Sequence, residues 1–252
     1  MSAAAQVSPS RFTVVDSNLE SGFAGPTFRS PRLGPEWDLL ERFLNAPPFD
    51  VPAGCEAIIF REPRLVSGFP DLVIVIWDKK KTAQWLPTRR ALTREDVRVA
   101  HYVYHKGPCT DEHLIAIFTN AVGKNIQRLD SAGVLRNDGS RWLLRPLASV
   151  FAARQIIAIE AKISEWKAGL EQAVLNTWFA SSSYMLVPNI PNTSSLLLRA
   201  KALGIGIWTE DHAPVKPERA QRLPRSYASW LFNEWAWRAS AGIGLNGQWH
   251  SD

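Results

Sequence analysis

The sequence predicts an α/β protein: a mixed sheet flanked by helices, its chain interrupted by a smaller helical unit. Three observations predict it. The run Phe69–Trp77 (FPDLVIVIW) carries β-branched residues at successive positions, the pattern of a strand covered on both faces. From Ile156 to Thr209 strand-like and helix-like segments alternate, which implies a sheet with helices packed on it. Between these regions, Leu92–Pro146 has a different texture, three short helical patterns followed by a hairpin pattern. The expected organisation is therefore a mobile N-terminal arm over 1–35, a discontinuous core over 36–90 and 147–252, and an inserted domain over 91–146.

Local chemistry supports each element in turn. Residues 1–35 are rich in Ser, Ala, Gly and Pro with few large apolar groups, the texture of a loosely attached extension. From Glu36, the spacing Trp37, Leu40, Leu44 predicts a short helix stopped by Pro47-Pro48. A strand over Ala57–Phe60 and a turn at Ser67-Gly68 lead to Phe69–Trp77, with Asp71 at its entry. The basic stretch Asp78–Arg90 reads as a linker.

In the insert, Thr93 or Arg94 opens a helix through Tyr104, which Gly107-Pro108 breaks. Thr110 caps a second over Asp111–Phe118, and a third runs over Ala121–Ser131 to Gly133. Asn137-Asp138-Gly139-Ser140 then joins two β-like pieces. Three helices followed by a hairpin is the order of a winged helix. Its third helix buries Val122, Ile126 and Leu129 and offers Lys124, Gln127 and Arg128, while the hairpin adds Arg136 and Arg141, all suited to DNA phosphates and base edges. A protein-interaction or dimerisation role stays open, because Asp111, Glu112, Asp130 and Asp138 offset that charge.

Beyond Pro146 the pattern gives a strand over Ile156–Ile163, then a helix capped by Ser164 and running to about Ala180. A strand over Tyr184–Val187, a helix over Ser194–Leu203 and a strand over Ile205–Thr209 follow. The aromatic stretch Arg225–Ser240 is expected as an amphipathic helix for core packing or a subunit contact.

Bulk properties narrow the function classes. The chain has 252 residues, 46% hydrophobic and 21% charged, enough for a sizeable core. A formal charge of +5 favours a polyanionic partner without requiring one. Cys55 and Cys109 form no C-x-x-C pair, which argues against a zinc site and a disulfide framework and leaves a reducing, cytoplasmic setting as the expectation. No apolar run reaches the roughly 18–20 residues of a membrane span, and no signal peptide is recognisable.

Within the Ile156–Ile163 strand, period-two alternation places Glu160 and Lys162 on one face. Two charges on an apolar strand need partners or a task, because an unpaired buried charge is costly. A second Glu-x-Lys triplet, Glu165-Trp-Lys167, falls on a helical turn where residues two apart diverge, so it reads as a solvated face.

The conjunction of Pro70-Asp71 opening one strand and Glu160-Ala161-Lys162 on a later one, followed by helix, strand, helix and strand, resembles the PD-(D/E)XK nuclease superfamily. The resemblance covers roughly Glu36–Trp77 and Phe151–Asp211 and excludes the insert, which accounts for the separation of 89 from Asp71 to Glu160. It implies a restriction-endonuclease-like core in which Asp71 and Glu160, with the backbone carbonyl of Ala161, hold Mg²⁺ or Mn²⁺. Lys162 would stabilise the transition state or orient the attacking water, and the reaction would be hydrolysis of DNA phosphodiesters. It further implies Gln172 as an accessory residue, although the position four later is Asn176 where some members carry Tyr, and an active-site Glu on the first helix, Glu36 or alternatively Glu41. Double-stranded DNA is the expected partner and a homodimer is compatible with cutting both strands. A non-catalytic DNA-binding regulator and a protein-interaction module are the rival readings.

Overall fold

A computed structural model describes residues 12–16, 26–30, 32–119, 121–190, 194–209, 212–218 and 222–241. Its strands are β1 (Phe12–Val15), β2 (Cys55–Arg61), β3 (Leu72–Asp78), β4 (Leu135–Asn137), β5 (Trp142–Leu144), β6 (Ala153–Ala161), β7 (Ser182–Leu186) and β8 (Gly206–Trp208). Its helices are α1 (Pro35–Asn45), α2 (Lys79–Thr82), α3 (Arg94–Lys106), α4 (Asp111–Phe118), α5 (Val122–Ser131), α6 (Leu147–Val150), α7 (Trp166–Asn176), α8 (Ser194–Ala202) and α9 (Tyr227–Ala241), with a 3-10 turn over Pro87–Ala91.

Six strands form one mixed sheet in the order β1-β2-β3-β6-β7-β8. β3 runs antiparallel to both of its neighbours, β2 and β6, whereas β6, β7 and β8 are parallel to one another, as are β1 and β2. Alternation along β3 divides the core into two layers. Leu72, Ile74 and Ile76 pack with Leu39, Leu40 and Phe43 of α1, while Val73, Val75 and Trp77 pack with Trp230, Phe232 and Trp235 of α9. All seven residues of β3 are buried, as its two-sided β-branched pattern requires. α7 and α8 cover the parallel end through Leu170, Ala173, Leu196 and Ala200 against Met185, Val187 and Ile207. This is the expected α/β architecture of a mixed sheet flanked by helices.

Several expectations need correction. Part of the stretch read as a mobile arm belongs to the sheet: β1 pairs with β2 from Phe12↔Ala57 to Val15↔Phe60, and residues 26–30 lie against the chain after β2. Phe12, Val14 and Val15 supply the β-forming residues that overall composition concealed. Residues 1–11, 17–25 and 31 of that arm, and 242–252 of the core, lie outside the described residues. The stretch read as a linker is also structured. Asp78 caps α2 by accepting from Lys80 N–H at 3.0 Å, and Arg89 is buried against Trp85. Ser164 does not cap α7: the N-cap is Glu165, in the left-handed region at φ 57° with no side-chain capping bond.

Helices α3, α4 and α5 and the β4–β5 hairpin share a core of Val99, Val103, Leu114, Val122, Ile126 and Leu129. Thr93 and Asp96 form a reciprocal capping box at the start of α3, and Thr110 accepts from His113 N–H to cap α4. This unit sits against α9 and is not independent of the sheet. Tyr227 Oη donates to the Arg94 carbonyl at 2.8 Å, and Val97 belongs to the same apolar cluster as α9. α9 is buried at every position from Ala228 to Ala239, so it is a central helix rather than an amphipathic surface one.

Arg128 has an internal role in this unit. Its Nε and Nη2 donate to the two carboxylate oxygens of Asp96 at 2.9 and 2.8 Å, and Asn125 donates to the same fully buried group at 2.7 Å. Arg128→Ala is expected to cost about 2 kcal/mol of stability by urea unfolding, because Asp96 loses its cationic partner in the interior. A change below a few tenths of a kcal/mol would show the pair to be dispensable. No helix among the described residues is long and apolar enough to cross a membrane.

Candidate active site

The register of the sheet brings the predicted carboxylates together. β3 and β6 pair antiparallel with Leu72 opposite Ile159, so one further step sets Asp71 opposite Glu160. Facing residues on adjacent strands have Cβ atoms about 5 Å apart. Asp71 Oδ2 accepts the backbone N–H of Ala161 at 2.8 Å, which ties the entry of β3 to the exit of β6. The place lies at the carboxyl end of β6, next to its parallel neighbours, where open α/β sheets leave a crevice.

Lys162 follows directly, its backbone N–H donating to Leu186 O at 2.9 Å. Its aliphatic stem passes over Gly169 of α7. A Cβ at that position would meet Lys162 Cγ at 2.6 Å and Met185 Sδ at 2.8 Å, so glycine is what lets the lysine lie there. The ammonium comes to 3.6 Å from Glu36 Oε1 on the first turn of α1. Glu36, rather than Glu41, is thus the first-helix carboxylate near the site. Glu41 instead accepts from Arg61 at 2.6 Å, and that guanidinium lies over the Trp37 ring.

Asn176 is the α7 residue that touches the site. Its Nδ2 donates to Glu160 Oε1 at 2.6 Å and both groups are buried, whereas Gln172 is exposed. Two other participants had no sequence signal. Glu62, just after β2 and at φ 48°, is buried and paired with Arg29, which donates to both of its carboxylate oxygens at 2.8 and 2.7 Å. Arg29 Nη2 also lies 3.8 Å from Asp71 Oδ1. Arg29 falls within a Pro- and Ser-rich stretch and Glu62 between two arginines, contexts that read as surface.

Burial raises both carboxyl pKa values. Asp71 is pushed up to about 6, against the lowering effects of the Ala161 N–H and Lys162. Glu160 is pushed up to about 8 by burial and then by the charge of Asp71, with Asn176 and Lys162 acting in the opposite direction. Two largely buried carboxyl groups facing each other, with the charge of Asp71 opposing ionisation of Glu160, form an oxygen-rich place suited to a hard divalent cation. Among the described residues no three side chains of His, Cys, Asp and Glu group as a metal cage. Mg²⁺ needs no such cage, since it commonly uses one or two carboxylates and keeps several waters.

The residues expected to meet DNA lie apart, on the three-helix unit. Lys124 and Gln127 are exposed on α5, and Arg136 is exposed on β4. Arg141 is exposed but pairs with Asp138 at 3.3 Å across the hairpin turn. His113 accepts or donates at 2.7 Å with Tyr102 Oη, and His101 and His105 meet edge to face, all within the same unit.

Fold and site together define an α/β protein with two largely buried carboxyl groups facing each other across adjacent strands, beside a lysine. Comparison with known proteins found no matching family profile, no matching curated protein and no matching solved structure.

Proposed function

We propose that this chain is a metal-dependent DNA endonuclease with a PD-(D/E)XK-type site on a restriction-endonuclease-like core, its three-helix unit serving as an inserted winged helix that contacts double-stranded DNA. The observation that carries the reading is the placement of Asp71 opposite Glu160, with Ala161 N–H on Asp71 and Lys162 alongside. Asp71 and Glu160, with the Ala161 carbonyl that the superfamily resemblance implies, would hold Mg²⁺ or Mn²⁺. When bound, the ion supplies an acidified water and neutralises charge on the phosphate.

The chain's own residues account for the rest. Lys162, kept in place by Gly169 and facing Glu36, presents a positive charge where the phosphoryl oxygens gain negative charge. Asn176 orients Glu160 by donating to one of its carboxylate oxygens, Oε1. In the overall step a water oxygen forms a bond to phosphorus, one ester P–O bond breaks, and the departing oxygen takes up a proton. Exposed Lys124, Gln127 and Arg136 would hold the duplex, with Arg128 contributing mainly through the rigidity of α5. A cytoplasmic setting and a homodimer belong to the same proposal.

The test is incubation of plasmid and linear DNA with Mg²⁺, Mn²⁺ or chelator, using wild type, Asp71→Ala and Lys162→Ala. Cleavage is expected with either metal, and none with chelator or with either variant. Cleavage surviving in both variants would remove the site assignment. Binding that weakens with salt but never leads to cleavage in any metal would favour the regulator.

A further inference from the structure

We propose that Arg29 is a built-in countercharge of the carboxylate centre and limits its affinity for a divalent cation, an inference that rests on the nuclease reading for the identity of the centre. Arg29 is held rigidly. Its backbone N–H donates to Glu62 O at 3.1 Å, the neighbouring Arg64 N–H donates to Thr27 O at 2.7 Å, and Phe28 forms a bridge with Pro63. The guanidinium stands 5.5 Å from the Phe69 ring centroid and engages both oxygens of Glu62. That fork aims the charge at Asp71 Oδ1, 3.8 Å away, while Asp71 Oδ2 is occupied by Ala161 N–H. Oδ1, the Asp71 oxygen that does not take the Ala161 N–H, is thus the one facing a fixed positive charge.

The surrounding charges decide the sign. The carboxylates around the centre are Glu62 just after β2, Asp71 just before β3, Glu160 on β6 and Glu36 on α1, against Arg29 and Lys162. Arg29 with Glu62 forms a pair of zero net charge. Removing the arginine alone adds one negative charge beside Asp71. Removing the glutamate alone leaves an uncompensated positive charge there, and removing both restores the balance. A divalent cation at Asp71 and Glu160 responds to each change through short-range Coulomb interactions in a partly buried place.

Titration calorimetry with Mn²⁺ at pH 8.5 reads this directly, without any cleavage assay. Arg29→Met is expected to bind Mn²⁺ about tenfold more tightly than wild type and Glu62→Gln about tenfold more weakly. The Arg29→Met/Glu62→Gln double variant and Arg29→Lys, which keeps the charge, are expected to stay within about threefold of wild type. Should Arg29→Met fail to fold, weaker binding by Glu62→Gln together with wild-type binding by Arg29→Lys carries the same conclusion. Unchanged or weaker binding by Arg29→Met, or equal tightening by Arg29→Lys, overturns the countercharge role while leaving the nuclease reading intact. Absence of Mn²⁺ binding by wild type and every variant overturns both.

Discussion

Glu160→Gln is expected to abolish metal-dependent DNA cleavage, a loss of about 10³-fold or more, and at the same time to stabilise the metal-free protein at alkaline pH. Glutamine keeps the oxygen that accepts from Asn176 but removes the charge that would hold the ion on the proposed reading. The stability effect follows from linkage. Glu160 titrates at about 8 in the folded protein, above its ordinary value of 4.5, and Asp71 at about 6, above 3.8. Between those limits the folded chain binds more protons than the unfolded chain, so stability falls as pH rises. The contribution of the protonated groups is complete below about pH 4 and is lost as pH passes through about 6 for Asp71 and about 8 for Glu160. Glu160→Gln should therefore be more stable than wild type at pH 8.5, by up to about 4 kcal/mol, and differ little from it at pH 4 in urea unfolding without metal. A variant less stable than wild type at pH 8.5 would show that burial is not what raises this carboxyl. The same linkage makes metal binding release protons, so Mn²⁺ affinity should increase up to about pH 8.

Glu234→Ala is expected to destabilise the fold by about 3–5 kcal/mol, the largest stability loss among these substitutions. Arg89 and Glu234 are 1% and 2% exposed. Arg89 Nε donates to Glu234 Oε2 at 3.0 Å, and its Nη2 donates to Glu234 Oε1 and to the Val150 carbonyl at 2.5 and 2.6 Å. Asn233 donates to Glu234 Oε1 at 3.1 Å and also receives the N–H groups of Ala152 and Ala153 on its Oδ1. Truncating the glutamate leaves a guanidinium in the interior, lying on the Trp85 ring at 3.4 Å but with no counter-ion across from it. Arg89→Leu with Glu234→Leu should recover most of the loss, because the cost lies in the unpaired charge and not in the absence of the pair. Equal losses in the single and double variants would mean that packing around α9 is the cause.

These two predictions differ in how far their residues could be read from the sequence. Glu160 stood out because a carboxylate inside an apolar strand contradicts its surroundings, and Lys162 shares its face by simple alternation. Asp71 followed from its position at the entry of the Phe69–Trp77 strand. The partition of β3 into two apolar layers was equally legible, since Leu72, Ile74 and Ile76 alternate with Val73, Val75 and Trp77. Arg89 and Glu234 gave no such signal. Arg89 lies in a basic stretch that reads as a linker, and Glu234 sits in an aromatic stretch that reads as an amphipathic helix, where a single carboxylate does not contradict its surroundings.

Local pattern thus established the strands other than β1, most helix starts, and the carboxylate and lysine at the end of β6, because these depend on neighbours one to four positions away. Pairing across long separations came from tertiary packing: Asp71 with Glu160 through the β3–β6 register, Asn176 in place of Gln172, Arg29 with Glu62, and Arg128 with Asp96. Each of these joins residues whose side chains would be solvated if their own segment stood alone. Burial by another element changes their chemistry, and which element does the burying is a property of the assembled sheet and helices, not of any short stretch of chain.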